Sequence, residues 1–103
     1  MEIKKENYYI IRGDRSGVFF GKIKEKQPQR DGKSEVLMSN VKRIHYWDGA
    51  ASISQLAIDG TSLPNSCRIT EPVSEVVIMD AIEINTCTEK AKKNILAVPV
   101  WKI

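Results

Sequence analysis

Three side chains able to recognise an anion alternate along one short stretch of this sequence. Arg43, His45 and Trp47 are separated by single residues, so in a β-strand they project from the same face. A guanidinium group binds phosphate through two parallel hydrogen bonds, and base stacking on an aromatic ring contributes about 1–3 kcal/mol. The spacing therefore indicates a face that can hold a nucleotide.

The same face also has an architectural interpretation. Small domains often bury one Trp within a strand, with an Arg side chain lying along its ring. In that case Trp47 belongs to the core, Arg43 covers it, and His45 is hydrogen-bonded at the sheet edge. The sequence leaves both interpretations open.

A second group of charged residues surrounds a glycine-rich loop. Arg12, Asp14 and Arg15 lie beside Ser16-Gly17, whose backbone N–H groups can form a small anion-binding concavity. An ordinary charged hairpin tip explains the same residues, although loops on rigid sheets often carry binding function. The candidate ligand-binding residues are Arg12, Arg15, Arg43, His45 and Trp47.

Catalytic and metal-binding patterns are weak. The only His and the two Cys, at positions 45, 67 and 87, lack the close spacing of a zinc site. Ser52 and Ser54 are not part of a nucleophile elbow, and no acidic residue is clearly placed to orient His45. We therefore expect no enzyme activity, no metal and no cofactor.

Length and composition predict one globular domain over residues 1–103. Hydrophobic residues make up 42% and charged residues 28%, which is ordinary for a folded protein. No apolar run approaches the roughly 18–20 residues of a membrane span, and the first residues lead into no apolar signal region. We therefore expect a cytosolic protein that does not bind membranes.

The positive charge is concentrated in the first half of the chain. Residues 1–50 contain 11 basic and 7 acidic residues, whereas residues 51–103 contain 5 and 6. A basic half can attract an anionic partner, but a net charge of +4 is also typical of a solvated surface.

Alternating apolar residues and turn signals predict a mostly antiparallel sheet. Loops at Gly13–Gly17 and Gln27–Lys33 join hairpins, and Asn40 is expected to turn the chain again. The most apolar segment, Val73–Ile84, is expected to be the central strand, either as one long bent strand or as two strands broken near Asp80. The predicted strands are Asn7–Arg12, Val18–Lys26, Ser34–Met38, Val41–Trp47, Val73–Ile84 and Val98–Ile103.

Two capping patterns predict two short helices. Ser52 with Gln55 introduces the first, with Asp48 as an alternative N-cap, and Gly60 ends it. Thr86 with Glu89 introduces the second over Lys90–Leu96. The predicted fold is therefore α+β, with a curved sheet or small open barrel of about six strands and two short helices.

Small residues mark the corner between the fourth predicted strand and the first helix. Gly49, Ala50 and Ala51 allow close approach of another backbone, a second subunit or a ligand. A Pro-containing terminal edge strand at Val98–Ile103 adds to this signal, because symmetric assembly is a common way to cover an edge. We therefore expect a homo-oligomer.

The sequence resembles an uncharacterised family of small phage and prophage proteins almost from end to end. The segments that carry the resemblance are Ile11–Gly21, the Tyr-Trp-x-Gly-Ala segment at residues 46–50, Cys67–Thr70 with Val73, and Val100–Ile103. The resemblance implies a phage origin and a location in the host cytoplasm, and it implies no particular activity.

Taken together, these features favour a phage-encoded, non-enzymatic binding protein. The first hypothesis is a counter-defence protein that sequesters an anionic nucleotide signal. The alternative is a structural or protein-binding component, such as a minor virion protein or an inhibitor of a host enzyme. Nucleic-acid binding ranks third, and it predicts affinity that falls steeply with salt.

Overall fold

The computed structural model describes all residues from 1 to 103 and contains five strands and two helices. In chain order the elements are β1 (Tyr9–Gly13), β2 (Val18–Pro28), β3 (Ser34–Tyr46), α1 (Ile53–Asp59), β4 (Arg68–Ile69), β5 (Val73–Thr86) and α2 (Glu89–Leu96). A 3₁₀ turn at Pro64–Ser66 precedes β4. No helix is long and apolar enough to cross a membrane.

Antiparallel pairing connects four of the strands in a ring. β1 pairs with β2 and β5, and β3 also pairs with β2 and β5, while the short β4 continues the sheet along β3. The result is a curved, ring-bonded sheet that is not a barrel. The predicted α+β class with a curved antiparallel sheet and two short helices is confirmed.

Three details of the strand assignment differ from the prediction. Asn40 does not end a strand: it adopts a φ of 53°, which Asn tolerates, and β3 continues through it. The short β4, Arg68–Ile69, was not among the predicted strands. The segment Val98–Ile103 forms a single parallel bridge, Val100 to Ile69, rather than a strand.

Side chains are buried on both faces of the ring-bonded sheet. Neighbouring strand residues point to opposite faces, so the buried residues form two separate clusters. The consecutive pairs Tyr8-Tyr9, Ile10-Ile11 and Phe19-Phe20 each send one side chain to each of two clusters. The inner cluster contains Tyr9, Ile11, Phe19, Ile23, Val36, Met38, Val41, Ile78 and Ala81. The helix-side cluster contains Tyr8, Ile10, Phe20, Ile44, Leu56, Ala57, Cys67, Ile69, Ile95 and Val98.

The two helices cover the helix-side cluster, and side chains cap both of them. Ser52 Oγ accepts from the N–H of Gln55 at 3.2 Å, and the Gln55 side chain accepts from the N–H of Ala51 at 2.7 Å. The predicted cap of α1 is therefore confirmed. The cap of α2 is Thr88, whose Oγ1 accepts from Ala91 at 3.0 Å, because Thr86 still belongs to β5.

Candidate functional site

The five residues predicted to bind a ligand do not form one surface. Arg15 and Arg43 lie beside the same depression. The other three lie in different surroundings.

Contacts on both sides of its backbone hold Arg43 in place. Its N–H donates to Thr70 Oγ1 at 2.9 Å, and its carbonyl accepts from the N–H of Thr70 at 3.0 Å. Its guanidinium carbon lies 4.4 Å from the centre of the ring of Phe19, its pairing partner on β2. Nη1 donates to the carbonyl of Ser16 at 2.6 Å. The charged end of Arg43 therefore lies against the loop between β1 and β2.

His45 is directed to the C-terminal segment instead. Its ring stacks on Trp101 with centroids 5.1 Å apart and an interplanar angle of 4°. The guanidinium carbon of Arg68 lies 5.6 Å from the same Trp101 ring. Since the backbone N–H of Trp101 also donates to the carbonyl of Ile69 at 2.9 Å, His45 helps to hold the end of the chain on β4.

Trp47 belongs to the strand-to-helix corner. It is half-buried against the helix-side cluster, and its Nε1 donates to the carbonyl of Ala50 at 3.3 Å. The turn itself requires Gly49, which has a φ of 80° and leaves a Cβ only 2.5 Å from the backbone nitrogen of Leu63. Trp47 is therefore packed as a core residue rather than presented as a stacking surface.

The two arginines of the first hairpin separate. Arg12 Nη1 lies 3.8 Å from a carboxylate oxygen of Glu83 on the neighbouring strand. Arg15 lies in the loop after β1, on the side occupied by Arg43. Of these two residues, only Arg15 shares a depression with Arg43.

Asp80 of β5 fixes the loop that presents Arg15. Its carboxylate accepts from Ser16 Oγ at 2.6 Å and from the backbone N–H groups of Arg15 and Ser16 at 2.7 and 3.1 Å. The Ser16 hydroxyl, followed by these N–H groups, lowers the pKa of Asp80 below its ordinary value. The loop conformation is therefore tied to an ionised carboxylate on the neighbouring strand.

β5 has strand partners on both sides only at Ala81. β3 pairs with β5 between Val73 and Ala81, whereas β1 pairs with it only from Ala81 to Thr86. The stretch Val73–Met79 is therefore an open strand edge, and such an edge presents backbone N–H and C=O groups without a strand partner.

A hollow of about 420 Å³ follows this open edge. One wall consists of the five consecutive residues Val76–Asp80. Successive strand side chains point to opposite faces, so consecutive residues line one hollow only when the hollow runs along the strand edge. The opposite wall consists of Arg15, Ser16, Phe19 and Arg43.

A second hollow of about 320 Å³ continues the first past Val73. It shares Phe19, Arg43 and Val76 with the larger hollow, and it extends to Thr70 and Glu71. We call this continuous depression, along β5 from Val73 to Asp80, the edge groove.

The edge groove combines apolar walls with two unpaired cations. No carboxylate oxygen lies within 4 Å of the guanidinium group of Arg15 or Arg43. Its acidic residues have other partners: Asp80 holds the loop, and Glu71 lies 3.7 Å from Lys102 Nζ. The groove can therefore accept an anionic group without first breaking an ion pair.

The β5 wall was missed by reasoning from the sequence alone. The segment Val73–Ile84 was expected to be a central strand, and β5 does lie between β1 and β3. However, Val77 and Met79 are 53% and 62% exposed. The residues Val76–Met79 are apolar on both faces of the strand, and in a sequence such a run indicates burial. In the structure the same run lies along an open strand edge.

The cysteines lie apart from the edge groove. Cys67 is buried, with its thiol 3.5 Å from the carbonyl of Leu63, and burial raises the pKa of Cys87 to about 12. Neither belongs to a group of three or more His, Cys, Asp or Glu residues able to hold a metal ion.

The fold and the edge groove define a small α+β protein with an open strand edge beside two unpaired arginines. The chain belongs to a family described as a domain of unknown function, DUF6948, whose model matches residues 6–95. This confirms the predicted relationship to an uncharacterised family. The segments Ile11–Gly21 and Tyr46–Ala50 fall within the match, whereas Val100–Ile103 lies outside it. No curated protein and no solved structure matches the chain.

Proposed function

We propose that this chain is a phage-encoded, non-enzymatic protein that binds an extended segment of a partner protein along the edge groove. The observation that supports this most directly is the open edge of β5 over Val73–Met79, which forms one wall of the groove. An open edge of this kind accepts an added strand through main-chain hydrogen bonds, and pockets for alternate side chains then give specificity.

The chemistry of the groove defines the partner segment. Side chains that point into the groove meet Val73, Val76 and Val77, so apolar residues are expected at alternate positions. A carboxylate between them meets the unpaired guanidinium groups of Arg15 and Arg43 with charge-assisted hydrogen bonds. The segment is therefore extended, apolar at every second residue, and acidic near its centre.

Selection of binders from a displayed peptide library tests this proposal. The expected result is selection of peptides with alternating apolar residues and a carboxylate. Val77→Lys adds a charge beside the open edge, as natural edge strands do to prevent pairing, and is expected to weaken binding of a selected peptide at least tenfold.

Ile58→Lys is the matched control, because Ile58 on α1 is 57% exposed and lies outside the groove. It is expected to leave peptide affinity unchanged. Selection of peptides without this pattern, or equal losses from both variants, would reject strand addition.

A second candidate function is the sequestration of an anionic nucleotide signal, as in phage counter-defence. The specific observation in its favour is that Arg15 and Arg43 line the same hollow without carboxylate partners. Stacking of a nucleotide base on Phe19 has less support, because that ring is only 2% exposed and lies under the Arg43 guanidinium group. For this reason strand addition is our first proposal.

Calorimetric titration with cyclic and linear nucleotides distinguishes the two candidates. Nucleotide sequestration predicts saturable heat that Arg43→Gln removes and Arg12→Gln preserves, because Arg12 pairs with Glu83 outside the groove. Absence of heat from every nucleotide, with the protein shown to be folded, would leave only the protein-binding function.

We also propose that the chain acts in the cytoplasm of an infected host as a homo-oligomer. The sequence resemblance to phage and prophage proteins supports the origin, and Ala51, exposed beside the corner, is small enough to let a second subunit approach. Sedimentation velocity is expected to give a mass of at least two chains of 11.6 kDa each. A single species at the monomer mass across micromolar to millimolar concentrations would contradict the oligomer.

A further inference from the structure

Two lysines from different elements meet over one face of Tyr8. The ring of Phe20 stacks on Tyr8 with centroids 4.8 Å apart and an interplanar angle of 26°. Nζ of Lys22 in β2 and Nζ of Lys92 in α2 lie 5.7 and 5.5 Å from the centre of the Tyr8 ring. Since Phe20 covers one face, both ammonium groups approach the opposite face.

The two ammonium groups are only partly neutralised. Lys92 Nζ lies 3.7 Å from a carboxylate oxygen of Glu89, one turn earlier on α2. Lys22 has no carboxylate within 4 Å. Two like charges near one ring repel each other, so an anion between them would be stabilised.

A third lysine next to the same aromatic pair is almost completely buried. Lys42 lies opposite Phe20 in the pairing of β2 with β3, and it is only 6% exposed. It has no carboxylate within 4 Å. Its Nζ is not among buried polar atoms that lack a partner, so the stem is covered while the ammonium group reaches solvent beside Phe20.

A hollow of about 340 Å³ opens beside Lys22. Lys5 and Lys24 also line it, and Glu25 is its single acidic residue. Lys24 is neutralised by Glu75 at 2.6 Å, whereas Lys5 has no carboxylate within 4 Å. The hollow therefore provides space for an anion next to Lys22, one of the two lysines over Tyr8.

We propose that this lysine site, formed by Lys22 and Lys92 over Tyr8, with Lys5 beside Lys22 and Lys42 opposite Phe20, binds a phosphoryl group. Ammonium groups recognise phosphate as point charges, and phosphate oxygens accept hydrogen bonds from several directions at once. The lysine site shares no residue with the edge groove, so it does not depend on the function proposed for that groove.

Calorimetric titration with pyrophosphate at constant ionic strength tests the site. Lys22→Gln is expected to weaken binding at least tenfold, and Lys92→Gln is expected to weaken it to a similar extent. Lys90→Gln is the matched control, because Lys90 lies on the same helix, is exposed and pairs with Asp59. It is expected to leave the affinity unchanged, and circular dichroism confirms that each variant is folded.

A second titration, with a single-stranded oligonucleotide, identifies the source of the phosphoryl group. Binding of the oligonucleotide alone, lost in Lys22→Gln, would support the site and assign it to a nucleic-acid backbone. Binding of pyrophosphate would support a free phosphate ligand. Failure of the folded protein to bind either probe, or an equal loss in Lys90→Gln, would overturn the proposal.

Arg43→Gln separates this site from the edge groove. The variant is expected to bind pyrophosphate with unchanged affinity, because Arg43 does not line the hollow beside Lys22. A tenfold loss of pyrophosphate affinity in Arg43→Gln would assign the anion to the edge groove and reject the lysine site.

Discussion

The strand-to-helix corner and the edge groove differ in how fully their polar groups are paired. At the strand-to-helix corner, Trp47 Nε1 donates to Ala50, and the carbonyl of Asp48 accepts from the hydroxyl of Thr61. At the edge groove, the guanidinium group of Arg43 donates only to the uncharged carbonyl of Ser16, and the neighbouring β5 edge is open. The corner is packed within the chain, whereas the edge groove leaves cations without carboxylate partners and a strand edge unpaired.

This difference shows why residue types alone gave a mixed prediction. Arg43, His45 and Trp47 share a face by strand periodicity, but each has different neighbours from other parts of the chain. Pairing with Phe19, Trp101 and the corner then separates the three side chains. Their function depends on these long-range contacts rather than on their spacing.

The largest effect is expected from adding a methyl group at the corner. Gly49→Ala forces a φ of 80° on a residue with a Cβ and places that atom 2.5 Å from the Leu63 nitrogen. We expect the free energy of unfolding to fall by about 2–4 kcal/mol, because backbone strain and a clash add together. Chemical denaturation measures this loss.

Gly32→Ala is the matched control for the corner. Gly32 has a φ of 81°, but a Cβ there meets nothing within 4 Å. The left-handed conformation alone is expected to cost about 1 kcal/mol. Equal losses at positions 32 and 49 would show that the corner is not tightly packed.

A smaller loss of stability is expected from Asp80→Asn, which weakens the loop on the groove side. The Asn side chain lacks the charge that strengthens bonds from Arg15 and Ser16, so we expect a loss of about 1 kcal/mol at pH 7. Because the pKa of Asp80 is lowered in the folded state, its contribution is present above the ordinary aspartate pKa and disappears as the pH falls through the folded-state pKa.

Denaturation curves of wild type and Asp80→Asn between pH 7 and pH 2 follow this contribution. The difference between the two proteins is expected to shrink below about pH 4, where carboxylates begin to protonate. A difference that stays constant down to pH 2 would show that ionised Asp80 does not hold the loop.

The smallest effect on stability is expected at the edge groove itself. Arg43→Gln removes the contact with Phe19 and one hydrogen bond at an exposed position, so we expect a loss below about 1 kcal/mol. Binding of a selected acidic peptide is expected to weaken at least tenfold. A large loss of stability with unchanged peptide affinity would make Arg43 structural, like Trp47.

Local sequence signals predicted the parts of the fold that depend on neighbouring residues. The hairpin loop at Gly13–Gly17 and the cap formed by Ser52 and Gln55 follow from local backbone and side-chain chemistry. The sequence could not show that β1 ends beside Ala81, because strand pairing across 68 positions depends on the whole sheet. The open β5 edge, and with it most of the edge groove, was therefore not predictable.

The candidate arginines were found because loop residues and alternating cations are visible in the sequence. The lysines over Tyr8 were not found, because Lys22 and Lys92 are 70 residues apart in the sequence. They come together only through the packing of α2 on the sheet. The same reason explains Thr88 as the cap of α2: the end of β5 is set by its pairing with β1, not by the local pattern.

Amide hydrogen exchange along β5 tests the binding role of the edge groove most directly. We predict that alternate amides between Val73 and Met79 exchange rapidly in the free protein, since the open edge leaves them without partners. Addition of a selected acidic peptide is expected to slow these amides at least tenfold, with no change on α1. Full protection of every amide from Val73 to Met79 in the free protein, or unchanged exchange with the peptide bound, would contradict strand addition at this groove.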